Sequence, residues 1–213
     1  SESQPFPICE AAGMIRNIVF DIGMVLVDFR WKSLMEELGF TGDRLEGAAR
    51  ATVLGPYWNE FDRSEKSGEE IRELCCQYAP EYEREIRTFF EHIGEICREY
   101  PESADWLRSY KEKGYKVYLL SNYARMSFTK ATPPFSFLSV VDGGVISYEV
   151  RKIKPEPEIY HALLEKYSLK AEECAFVDDN AANIAAARAL GFAAVQHVSR
   201  EETCRRLAEL GVR

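Results

Sequence analysis

The chain has 213 residues, 46% of them hydrophobic and 29% charged, with 27 Lys and Arg against 35 Asp and Glu for a formal net charge of −8. No stretch approaches 18 consecutive apolar residues, which excludes a transmembrane helix, and the acidic balance gives no overall attraction for a nucleic-acid backbone or an anionic membrane. A chain of this length buries roughly 70% of its unfolded surface, so it needs neither a disulfide nor a structural metal to fold.

Residues 1–13 lack a basic region followed by an apolar run, so they read as a loose leader and not as a secretory signal. The six cysteines (Cys9, Cys75, Cys76, Cys97, Cys174 and Cys204) show no C-x-x-C spacing and no disulfide framework. A reducing cytoplasm is the expected location.

The first element, residues 15–20, is a short apolar run ending in Asp21, the pattern of a buried parallel strand. From about residue 29 to 100 the sequence has no clear strand. Helices are expected over 30–38, 43–54, 69–79 and 83–98, the third opened by Ser67 with Glu70 three places on. A helical stretch of about 70 residues is too long for a βα loop, which usually runs to about 2–6 residues. It reads as a helical lid over the carboxyl ends of the strands, where open α/β sheets bind ligands. Within it Trp58, Asn59, Glu60, Arg63 and Lys66 fall on a connection between helices and read as a packed indole among solvated charges.

Beyond residue 100 strand and helix alternate. A helix over 102–113 is stopped by Gly114, and a strand over 116–120 ends in Ser121-Asn122. Pro133-Pro134 and Asp142-Gly143-Gly144 mark turns around a minor strand. A helix over 158–167 precedes a strand over 174–177 that ends in Asp178-Asp179. A helix over 181–190 is stopped by Gly191, a strand follows over 193–198, and Ser199-x-x-Glu202 is a capping box for the last helix. This order predicts an α/β fold with a doubly wound parallel sheet between two helical layers.

Three apolar strands thus end in polar residues at one edge of the sheet. Each taken alone has an ordinary reading: Asp and Ser are common turn residues, Asn180 suits a helix cap, and Lys154 could be one of three solvated cations with Arg151 and Lys152. The ordered set is different. Asp21-Ile22-Gly23-Met24-Val25, Leu119-Leu120-Ser121-Asn122, Lys154-Pro155 and Phe176-Val177-Asp178-Asp179-Asn180 resemble the four motifs of the haloacid dehalogenase superfamily. The long insert resembles that superfamily's helical type 1 cap, found in its subfamily IA. The Asp-x-Gly-x-Val form followed by Leu26-Val27-Asp28 is most similar to a branch containing α-D-glucose-1-phosphate phosphatases.

The resemblance implies a Rossmann-like core over residues 1–28 and 101–213, with an inserted all-α cap over 29–100. It implies a Mg²⁺-dependent phosphatase acting on a small phosphorylated metabolite, such as an anomeric hexose phosphate, through an aspartyl-phosphate. Asp21 would be the nucleophile, a role that splits one hard displacement into two. Ser121, Asn122 and Lys154 would hold the phosphate. Asp21, the Gly23 carbonyl, Asp179 and Asp178 would hold the metal, with Asp179 favoured over Asp178 as the direct ligand. Charge supports this arrangement independently. Three carboxylates against one ammonium leave a net −2 that a divalent cation cancels, so that a phosphate dianion can enter. The partner is then a small molecule, with no nucleic acid or membrane, and the protein a monomer or homodimer.

Gly23 is the departure. Most phosphatases of the superfamily carry a second Asp there to protonate the leaving group, help worth roughly 10²–10⁴-fold. A glycine at this position also permits a positive φ. Two other readings therefore stand beside the phosphatase: a module with little catalysis and a binding or regulatory role, and a 2-haloacid dehalogenase, which needs no metal. The histidines (His92, His161 and His197) have no partner at metal spacing and read as structural or surface residues.

Overall fold

The computed structural model describes residues 14–213. The leader expected over residues 1–13 and Cys9 lie outside the described residues. Seven strands and eleven α-helices follow in chain order. They are β1 (Asn17–Phe20), β2 (Val27–Phe29), α1 (Trp31–Glu37), α2 (Gly42–Ala51), α3 (Trp58–Arg63), α4 (Gly68–Tyr78), α5 (Glu83–Glu91), β3 (Cys97–Glu99), α6 (Ser103–Glu112), β4 (Lys116–Ser121), α7 (Arg125–Thr129), β5 (Gly143–Ile146), α8 (Ser147–Val150), α9 (Pro157–Tyr167), β6 (Cys174–Asp178), α10 (Ala181–Ala189), β7 (Ala193–Gln196) and α11 (Arg200–Glu209).

Five strands form one parallel sheet in the order β5-β4-β1-β6-β7. Both faces are covered, so strand side chains are apolar whichever way they point. Ile18, Phe20, Val117, Leu119 and Val177 share one cluster with Trp106, Leu107 and Tyr110 of α6 and Leu207 of α11. Val19, Tyr118, Leu120 and Phe176 share the other with Ile159, Tyr160 and Leu163 of α9 and Ile184 of α10. The expected three-layer α/β architecture is present. The minor strand is β5, at one edge. Its Gly144 is pressed so closely on β4 that an added Cβ would stand 2.8 Å from the Leu119 carbonyl oxygen. Helix starts follow their caps: the Ser67, Asn180 and Ser199 side chains accept from the main-chain N–H of Glu70, Asn183 and Glu202.

The chain leaves the sheet through β2 and returns through β3, which pair antiparallel. Between them α1–α5 enclose a third cluster, with Leu34, Met35, Phe61, Ile71, Ile86 and Phe89 fully buried. Three expectations fail here. The helix expected over 83–98 stops at Glu91, because Gly94 sits where a Cβ would lie 2.1 Å from the Lys130 carbonyl oxygen and Cys97–Glu99 finds a strand partner 70 residues away. Non-local pairing of this kind leaves no trace in helical periodicity. The connection around Trp58 is itself a helix, α3. Six residues are too few to hold a helix alone, and α3 stands because Phe61 packs edge-on against Phe90 with ring centroids 5.4 Å apart. The helix expected over 43–54 also ends early, at Ala51, where the Thr52 hydroxyl turns back to the Ala48 carbonyl at 2.6 Å.

Candidate active site

Asp21, Ser121 and Asp178 stand at or just past the carboxyl ends of β1, β4 and β6, and the β-sheet register brings these ends together. Asp21 is 8% exposed. Its Oδ1 accepts from the Ile22 main-chain N–H at 2.8 Å and lies 2.9 Å from Lys154 Nζ. No donor among the described residues reaches its Oδ2. Burial pushes the Asp21 carboxyl above the usual range, and Asp178 and Asp179 add to this against the pull of Lys154.

Lys154 is not a solvated cation. It is buried, and its ammonium donates to Asp178 Oδ2 at 2.6 Å and to the Leu120 carbonyl at 2.8 Å, besides facing Asp21. The three acceptors match its three protons. Its loop is held by Asn122, whose side chain donates to the Lys154 carbonyl at 2.9 Å and accepts from the Lys154 N–H at 2.7 Å.

The two adjacent carboxylates differ. Asp178 is fully buried and spent on the protein: Oδ1 accepts from the Asn180 N–H, and Oδ2 accepts from Lys154 and from Asn183 Nδ2 at 3.2 Å. Asp179 is exposed and borders a cavity beside Asp21, Gly23, Asn122, Lys154 and Asn183. Oxygen atoms of Asp21, Asp178 and Asp179 lie within 4.8 Å of one another. A close set of hard carboxylate oxygens with one ammonium has the donor chemistry of a Mg²⁺ site. The Ser121 hydroxyl is buried with no hydrogen-bond partner among the described residues. That is a costly state for a group with no ligand to meet.

Gly23 does not use a glycine's conformational freedom. The positive φ falls on the next residue, Met24, at 63°. A Cβ on Gly23 would meet nothing within 4 Å, so the site has open room for a larger side chain there.

The cavity has a volume of about 190 Å³, and α3 contributes Trp58 and Asp62 to its lining. Trp58 packs on Phe61, ring centroids 4.8 Å apart, and also faces the cavity. Arg63 is not solvated: it makes two bonds to Glu156, at 2.8 and 3.0 Å, just beyond Lys154. Sequence reading missed Asp62. Its carboxyl is raised to about 7, first by burial and then by Asp21 across the cavity, with Lys154 opposing. A lone Asp in a six-residue helix carries no signal of its own, and only its place in the cavity lining with Asp21 distinguishes it. None of the three histidines lines the cavity.

A family model described as haloacid dehalogenase-like hydrolase matches residues 15–191. The chain is 29% identical over 198 residues to D-ribitol-5-phosphate phosphatase of Bacteroides thetaiotaomicron, covering 86% of this chain and 92% of that protein. It is 24% identical to a sesquiterpene phosphatase of Aspergillus oryzae, covering 90% and 94%. In fold it resembles a HAD family enzyme of Bacteroides thetaiotaomicron solved with magnesium and inorganic phosphate. That match has a TM-score of 0.68 and 22% identity, over 89% of this chain and 98% of the other.

Proposed function

The chain belongs to the haloacid dehalogenase-like hydrolase family, and from that premise we propose that it is a Mg²⁺-dependent phosphatase of a small phosphorylated metabolite, with Asp21 as nucleophile. The observation that carries this reading is the state of Asp21. One carboxylate oxygen is pinned by Lys154 and the Ile22 N–H, while the other has no donor among the described residues and the group borders the cavity. A carboxylate so held is aimed, and aiming is much of what phosphoryl transfer asks of a protein.

Each residue then has a part. Asp21 attacks phosphorus and becomes an aspartyl-phosphate. Lys154 fixes Asp21 and offers positive charge to the phosphate. The Ser121 hydroxyl and the Asn122 end of β4 receive the phosphate oxygens. Asp21, Asp179 and the Gly23 carbonyl would hold Mg²⁺, and Asp178 supports that set by orienting Lys154. Bound there, Mg²⁺ would neutralise the carboxylates and draw negative charge from the transferring group. The helices between β2 and β3 act as a cap that shields the intermediate from solvent.

The kinship with a ribitol-phosphate phosphatase and the small cavity support a sugar or sugar-alcohol phosphate as substrate. Ribitol 5-phosphate is the candidate on kinship. An anomeric hexose phosphate is the candidate on leaving-group grounds, because an anomeric hydroxyl departs more readily than a primary alcohol.

The test is phosphate release from 4-nitrophenyl phosphate, α-glucose 1-phosphate and ribitol 5-phosphate, with Mg²⁺ and with excess chelator. We expect turnover only with the metal, and none detectable for Asp21→Asn with an unchanged circular dichroism spectrum. Full activity in chelator, or an Asp21→Asn variant within about tenfold of the parent, would overturn the assignment.

A further inference from the structure

An alkoxide is a poor leaving group, so a phosphatase of sugar or polyol esters needs a proton donor at the ester oxygen and a base for the hydrolytic water. The side chains that line the cavity leave one candidate. Lys154 has its three protons committed. Asp179 lies in the carboxylate cluster suited to a cation. Burial pushes the Cys97 thiol up to about 12 and the Tyr123 phenol higher still, so neither exchanges protons readily near neutrality. Gly23 carries no side chain. Asp62 remains, lining the same cavity as Asp21.

We propose that Asp62, on α3 of the cap, is the general acid and base of this enzyme. This deepens the phosphatase reading and rests on it.

Asp62 is held in place as a catalytic group must be. Its own carbonyl accepts from the Ser147 hydroxyl at 2.6 Å, and Ser147 in turn takes the Tyr123 N–H at 2.9 Å. On the next residue, Arg63 makes its two bonds to Glu156. On the one after, the Ser64 hydroxyl accepts from the Arg125 N–H at 3.2 Å. Three consecutive residues therefore tie α3 to the segments that follow β4 and β5, while the Asp62 carboxyl takes part in no hydrogen bond among the described residues. A carboxyl near 7 can give a proton in one step and take one in the next.

The cycle balances. Asp21 attacks phosphorus, the bond from phosphorus to the ester oxygen breaks, and the electron pair leaves on that oxygen. The Asp62 carboxyl passes its proton there and an alcohol departs. Asp62, now a carboxylate, takes a proton from water as the water oxygen attacks phosphorus. The bond to Asp21 breaks, releasing phosphate, free Asp21 and a reprotonated Asp62.

The experiment compares Asp62→Asn with the parent, both with Mg²⁺, on 4-nitrophenyl phosphate and on a primary alkyl phosphate. For the alkyl ester, kcat/KM should fall by about 10²–10⁴-fold; for the aryl ester, whose leaving group needs little protonation, it should fall by less than about tenfold. The aryl ester should also show a burst of about one nitrophenol per enzyme followed by slow turnover, because the base for the second step is gone. Adding Gly23→Asp to Asp62→Asn, into space that is open, should recover at least about tenfold on the alkyl ester. An equal loss on both esters, without a burst, would show a structural role and overturn the inference while leaving the phosphatase reading intact. A parent inactive on every ester would overturn both.

Discussion

Lys154 and Asp178 meet at 2.6 Å, Nζ to Oδ2, with side chains 1% and 0% exposed. Asp21 completes the cluster at 2.9 Å, so the cluster carries more negative than positive charge inside the protein. Removing one partner of a buried ion pair costs about 3–5 kcal/mol because the remaining charge loses its compensation. Lys154→Met should therefore lower unfolding stability by that order in chelator, read from urea denaturation. Mg²⁺ should restore part of the loss, since a cation held by Asp21 replaces the missing charge. A variant within about 1 kcal/mol of the parent in chelator would show that the pair is not a structural support.

Asp178 and Asp179 should separate by assay. Asp179→Ala should fold with nearly parental stability, because the residue is exposed, yet need at least about tenfold more Mg²⁺ for half-maximal activity. Asp178→Ala strands Lys154, the Asn180 N–H and Asn183 Nδ2, and should lose stability first. Thermal unfolding with a metal titration of both variants checks this. Equal titrations would remove the preference for Asp179 as ligand.

The raised Asp62 carboxyl has a consequence for stability. In the unfolded chain it ionises near about 4; in the folded chain it holds its proton to about 7, through burial and the facing charge of Asp21, against Lys154. Between these values the folded state binds more protons than the unfolded state. Stability therefore falls as pH rises through that window, and the deficit persists above it. Asp62→Asn has no such charge. Measured in chelator, it should raise Tm above pH 7, and the gain should shrink toward pH 4. A gain independent of pH would contradict the raised carboxyl of Asp62.

The Arg63–Glu156 pair fastens α3 beside the site. Loosening it should act on catalysis more than on folding, since both side chains keep some contact with solvent. Arg63→Ala and Glu156→Gln should each lower kcat/KM by about tenfold, and the double variant should be little worse than either, a coupling within the usual range for touching residues. Additive losses would mean that the two residues act independently.

The core of the fold and most of the site were legible because both depend on local pattern. Continuous apolar runs marked β1, β4, β6 and β7. A polar residue at or just past the end of each of β1, β4 and β6 marked Asp21, Ser121, Asp178 and Asp179. A parallel sheet turns those sequence positions into neighbours without further information. What the pattern could not carry was everything set by contact across the chain. The pairing of β2 with β3 joins segments 70 residues apart, and helical periodicity overran it. Helix α3 is too short to announce itself and exists because Phe61 finds Phe90. The burial of Lys154 and the different environments of Asp178 and Asp179 are decided by contacts among the strand-end loops, and the approach of Asp62 and Arg63 to the site by how the helical segment docks on them. Sequence alone thus determined which groups the sheet would present. Tertiary packing decided which of them lost water, and burial sets their charge and hence their chemistry.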